Sequence, residues 1–155
     1  MSRSGYSYDI ENWDLIRWRG AVESAIRGRR GQAFLREMVA ALDAMPDKRL
    51  GRGALVDDAG CPCAMGSVAL ARGLDIPPPP RQYDPDDWGD SEGADQAAAL
   101  LGIAGALAKE IAFLNDEDGT WRKHNETPEQ RWAGMRKWAQ SQIRADSPSP
   151  PTETP

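Results

Sequence analysis

Apolar side chains recur every three or four residues from Leu15 to Met45, and one tetrapeptide, GRRG at residues 28–31, breaks the rhythm. Leu15, Trp18, Val22, Ala25 and Ile26 form a stripe before the break. Phe34, Leu35, Met38, Ala41, Leu42 and Met45 form another after it. This spacing is the mark of two amphipathic helices. Asn12 offers an N-cap and Asp14 a favourable first-turn charge, so the first helix is expected from about residue 12 to Gly28. The second is expected from about Gly31 to Ala44, with Pro46 as its stop. Two such helices must bury their stripes against each other or a third element, which makes a helical hairpin or corner the frame of the chain.

The remaining segments add to that frame. Residues 54–56, a turn at 57–60 and residues 61–64 suit a short β-hairpin. AMGSVALARG, residues 64–73, reads as a short helix closed by Gly73. Four prolines at 77–80 make a stiff connector, and the acidic run after them has no period, so residues 77–95 read as a Pro-rich, acidic loop in which Trp88 is the anchor. A helix over about 96–101, capped by Asp95 or Ser91, and another over about 104–114 are separated by Gly102. The clearest helix is TPEQRWAGMRKWAQSQI: Thr127 is the N-cap, Pro128 occupies the first position and Gln130 completes a capping box. Its inner stripe is Trp132, Met135, Trp138, Ala139 and Gln142 or Ile143. Residues 1–11 read as a flexible N-terminus and 146–155 as a disordered tail. The expected fold is mainly α, a compact single domain over residues 12–145 with five to six short helices and at most one small β-hairpin.

Composition narrows the function classes. The longest apolar run, residues 97–101, is far short of a membrane span. The opening residues carry no signal-peptide h-region, and Cys61 and Cys63 are too close in sequence to frame a disulfide scaffold. A cytoplasmic protein with no membrane contact is the expectation.

Charge is segregated along the chain. Residues 12–52 hold nine basic against five acidic side chains, whereas residues 84–118 hold ten acids and the single Lys109. Such asymmetry fits a charged partner, and it fits equally two halves of one domain attracting each other. Five arginines crowd residues 16–35. Arg19 and Arg27 each stand four residues from Glu23, where helical pairs compensate. Arg29 and Arg30 have no local partner and sit between two glycines. Arg17, Arg27, Arg29 and Arg30 are therefore the candidate partner- or anion-binding residues, suited to bidentate contact with carboxylate or phosphate. The competing occupant is this chain's own acidic surface, Asp84, Asp86, Asp87 and Asp90.

Other chemistries fit poorly. AAALLGIAGALAKEI, residues 97–111, has the small-residue spacing of a helix-turn-helix, but its second half offers only Lys109 to a phosphate backbone and leads into more acid. It reads as a tight corner between two helices. Two cysteines one residue apart and one histidine, His124, fall short of a structural zinc set. An EF-hand frame around Gly119 fails at its first and last ligand positions, Leu114 and Asn125. No nucleophile motif, P-loop or dinucleotide fingerprint is present, and acid pairs such as Asp57 and Asp58 are not distinguished from other surface acids. No catalytic residue, metal or cofactor is expected, and the chain is read as not an enzyme.

The phrases SRSGY, NWDLIRWRGAVESAIRGRRGQAFLREMVAALDAMPDKRL, LARGLDI, AKEIAFLNDED and ETPEQRWAGMRKW together resemble a family of small proteins of unassigned activity encoded by bacteriophages and prophages of proteobacteria. The resemblance covers about residues 2–145, is densest in the first third and thins across residues 77–95. It implies no catalytic residues. It implies a gene product made inside an infected or lysogenic bacterium, where small proteins of this kind bind host proteins and block defence systems. Binding of a host protein is the leading expectation. Nucleic acid is the less favoured partner. A nucleotide or other phosphate ligand held at residues 27–30 is the further alternative.

Overall fold

In the computed structural model, which describes residues 12–76, 92–116 and 125–145, the two apolar stripes become α1 (Asn12–Arg27) and α2 (Arg29–Ala44). One residue, Gly28, separates them. The second helix starts two residues earlier than its periodicity suggests, so Arg29 and Arg30 form its first turn rather than a loop. Gly28 is extended (φ −63°, ψ 156°) and its carbonyl accepts from the Gln32 N–H at 2.9 Å. Gly31 is buried in the angle between the helices. A Cβ placed there would lie 1.8 Å from the Ala25 carbonyl oxygen, so the close approach of α1 and α2 requires glycine at this position.

Four further helices complete the described fold: α3 (Ala64–Ala71), α4 (Glu92–Leu101), α5 (Gly105–Asp116) and α6 (Pro128–Gln142). The mainly α class is thus as expected. α4 begins earlier than expected, which places Asp95 within the helix. Gly73 (φ +69°) and Gly102 (φ +70°) adopt the left-handed conformation that ends α3 and α4. Beside them Leu74 N–H donates to Ala69 O and Ile103 N–H to Ala98 O, the closing bond of a Schellman motif. The hairpin expected near residues 54–64 is a single antiparallel bridge, Val56 to Pro62. Asp57 Oδ1 accepts from the N–H groups of Ala59 and Cys61 and holds the turn shut. The bridge makes both of its bonds, Asp57 N–H to Cys61 O and Cys63 N–H to Leu55 O, and it goes no further because α3 begins at Ala64; the Pro62 carbonyl faces away and accepts from Gly51 N–H. Cys63 is spent on structure: its Sγ accepts from Gly66 N–H and caps α3.

α2 is the central element, packed against α6, α3 and α1, while α4 and α5 form a pair that meets α1 and α3. Phe34, Leu35, Met38 and Leu42 of α2 join Met65, Val68, Leu107, Ile111, Met135 and Ala139 in one continuous core. The α6 stripe is inward as its sequence indicates, with Thr127 and Gln130 forming the capping box. α1 lies at the edge. Only Val22 is fully buried there, while Leu15, assigned inward by its spacing, is 39% exposed. Among the described residues α1 packs chiefly on α5 and α2, and Leu15 in its first turns is left partly open.

Buried polar side chains pin the loops, and periodicity gave no sign of them. Asn115, expected in a turn, ends α5 inside the core; its Oδ1 accepts from Ala64 N–H at 3.2 Å and its Nδ2 donates to Gly51 O at 3.0 Å. Arg131 donates to Leu50 O at 2.6 Å and lies 3.3 Å from Glu126. Arg72 grips Glu37 with two bonds and also donates to Leu101 O, tying α2, α3 and α4 together. Part of the charge segregation is settled within the domain, because Arg19 of α1 pairs with the buried Glu110 of α5 at 3.0 Å.

Residues 1–11, 77–91, 117–124 and 146–155 lie outside the described residues. The readings of the N-terminus, of the proline connector, of Trp88 and His124, and of the C-terminal tail fall there.

Candidate functional site

The α1–α2 corner gathers three exposed arginines, Arg27, Arg29 and Arg30. Arg29 and Arg30 are the first two residues of α2, exposed, and among the described residues neither has a hydrogen bond or ion pair. Gly28 has no side chain with which to cap the helix. The guanidinium groups therefore stand at the positive end of the α2 dipole, where acidic side chains are favoured and basic ones raise the energy of the folded state. Arg27 ends α1 at the same corner and is held loosely by Glu23 at 3.5 Å, both side chains 59% exposed. Arg17 is separate: it sits on the outer face of α1, about 15 Å along the helix axis from Arg27.

The structure adds two arginines that the sequence reading left out. After α6 the chain runs back across the corner, and Gln32 holds it there. Its Nε2 donates to Ile26 O (2.8 Å) and Gln142 O (2.9 Å), and its Oε1 accepts from Arg144 N–H (2.8 Å). Arg36, two turns along α2 from Arg29, donates to Arg144 O at 2.8 Å. A shallow open depression results between the end of α1 and residues 141–144, lined by Glu23, Ile26, Arg27, Ser141, Gln142, Ile143 and Arg144. Arg27, Arg29, Arg30, Arg36 and Arg144 thus surround one edge of the molecule. Arg36 was within reach of sequence reasoning, being seven residues from Arg29 on a shared helical face. Arg144 was not, since only the fold brings it to the corner.

Guanidinium groups stay charged and present fixed forks of donors, a chemistry that suits carboxylates or phosphates and not proton transfer. Asp84, Asp86, Asp87 and Asp90, the candidate internal occupants, lie outside the described residues. The helix-turn-helix candidate is now a tight corner: α5 turns Leu107, Ala108, Ile111 and Ala112 into the core, and Lys109 lies 3.6 Å from Asp95 and over the Trp18 ring. A helix so enclosed has no free face to enter a groove. Among the described residues no group of three or more His, Cys, Asp or Glu side chains is placed to hold a metal. No helix among them is long and apolar enough to cross a membrane.

No protein-family model, curated protein or solved structure matches the chain.

Proposed function

We propose that this protein is a non-enzymatic accessory factor that acts by binding another protein, and that the arginine corner is its contact surface for an acidic patch on that partner. One observation carries the reading: two exposed arginines without side-chain partners among the described residues occupy the first turn of α2, where they oppose the helix dipole. The arrangement lowers the stability of α2, and an anionic partner seated on the two arginines would offset that cost. The resemblance to phage and prophage proteins suggests a bacterial host protein as the target, with a component of a defence system as the specific case to examine. Nucleic acid is disfavoured by the net charge of −5 and by the enclosure of α5.

The test compares wild type with the double variant Arg29→Glu/Arg30→Glu in affinity capture from nuclease-treated host lysate, beside a gel shift on DNA and RNA at low salt. The reading expects a protein retained by wild type and lost by the variant, with no shift of nucleic acid. A salt-sensitive shift that the variant abolishes, without a protein partner, contradicts it.

A further inference from the structure

The outer face of α1 continues the arginine corner into an apolar end. Trp13 is 72% exposed and Ile16 59% exposed, one turn apart on the same side of the helix. Arg17 follows them, and Gly20, at which a Cβ would meet nothing within 4 Å, leaves a notch in the middle of the face. Arg27, Arg29 and Arg30 close the far end. From Trp13 to Arg27 the helical rise is about 21 Å, and Arg29 and Arg30 follow just past the break at Gly28. Two acids share the helix surface. Asp14 lies in the first turn, and Glu23 is already matched by Arg27.

Exposed tryptophan and arginine are the side chains that most often dominate protein interfaces, because each offers a large contact area and a fixed donor geometry. Here they are ordered along one ridge: apolar at the start of α1, cationic at its end. We infer that this ridge docks an acidic amphipathic helix of the partner, whose apolar side chains cover Trp13 and Ile16 and whose carboxylates, about 20 Å further on, meet Arg27, Arg29 and Arg30. Charge complementarity selects the acidic end of the occupant, and the exposed apolar pair selects the other end. A helix suits the site because the notch at Gly20 lets a second backbone approach at helix-packing distance. The inference rests on the protein-binding reading of the same corner, and it adds the chemistry of the bound element and its direction.

A displayed library of random 16-residue peptides, panned against the full-length protein, tests this without knowledge of the natural partner. The expected pool is enriched in Asp and Glu toward one end and in Trp, Phe or Leu at three- and four-residue spacing toward the other. A synthetic peptide from that pool should bind wild type and lose about tenfold or more in affinity to Trp13→Ala and, separately, to Arg29→Glu/Arg30→Glu. Trp13 is exposed, so its truncation leaves the fold intact, and unchanged circular dichroism verifies this. An acidic pool without apolar spacing, bound equally by Trp13→Ala, overturns the ridge while the corner reading stands. Peptides insensitive to the arginine reversal overturn both, and so does a pool with no enrichment.

Discussion

Gly20 and Gly31 are both helical glycines within a few turns of the corner, and helix propensity alone predicts the same result at each: replacement by alanine stabilises by about 0.5–1 kcal/mol. The structure predicts opposite signs. At Gly20 the added methyl meets nothing within 4 Å, so Gly20→Ala should gain that amount. At Gly31 the methyl would lie 1.8 Å from Ala25 O, 2.9 Å from Ala25 C and 3.2 Å from Ile26 O. Backbone atoms cannot swing aside as a side-chain end can. Relief requires α1 and α2 to part by about 1.5 Å, straining the 2.8 Å bond from Gln32 to Ile26 O. Overpacking of this kind costs about 1–3 kcal/mol, which exceeds the propensity gain. The propensity gain is common to both sites, so the two variants should differ by that overpacking cost, about 1–3 kcal/mol, or roughly 2–12 °C in melting temperature for a domain of this size. Thermal and urea unfolding followed by circular dichroism at low micromolar concentration reads both. Equal stabilisation by the two alanines would refute the close crossing of α1 and α2.

Other consequences follow from the buried polar pins and the charged edge. Asn115→Ala removes the acceptor of Ala64 N–H and the donor to Gly51 O, so it should cost about 2–4 kcal/mol in a urea titration. Glu37 and Asp43 are held below their ordinary values of 4.5 and 3.8, chiefly by the hydrogen bonds from Arg72 and Arg136. A carboxylate with a lowered folded-state pKa contributes stability above its unfolded value and loses it as pH falls through the folded one. Melting temperature should therefore decline as pH falls below about 4.5, and more gently for Glu37→Gln/Asp43→Asn. Burial, reinforced by the charge of Asp57, pushes the Cys61 thiol up. In mass-spectrometric alkylation near neutral pH, Cys61 should label more slowly than a free thiol, and the buried Cys63 only on unfolding.

How much of this was legible in the sequence depends on how local each signal is. The start of α6 could be read directly, because Thr127, Pro128 and Gln130 satisfy its first turn without help from the rest of the fold. The ends of α3 and α4 were visible for the same reason in Gly73 and Gly102. The start of α2 was not: Arg29 and Arg30 face solvent and the buried positions beside them are Gly31 and Gln32, so no apolar side chain marks the turn, and the glycines flanking the two arginines imitate a loop. Leu15 keeps the period of an inward residue, but a period cannot say where the neighbouring helix ends. Arg144 is held at the corner by Gln32 and Arg36, 112 and 108 residues away in sequence, a relation no local pattern encodes. The buried Asn115 and Arg131 escaped for a related reason, since their partners are the backbone carbonyls of Gly51 and Leu50 in a loop that the periodicity left undefined.

The central claim is that Arg29 and Arg30 serve binding at the expense of the helix they begin. The most direct test measures the affinity of a purified captured partner for wild type and for Arg29→Glu/Arg30→Glu, with the melting temperature of each. Reversal places acids at the positive end of α2, so the variant should be more stable by about 1 kcal/mol while its affinity falls by at least about tenfold. Unchanged affinity in a well-folded variant would contradict the account.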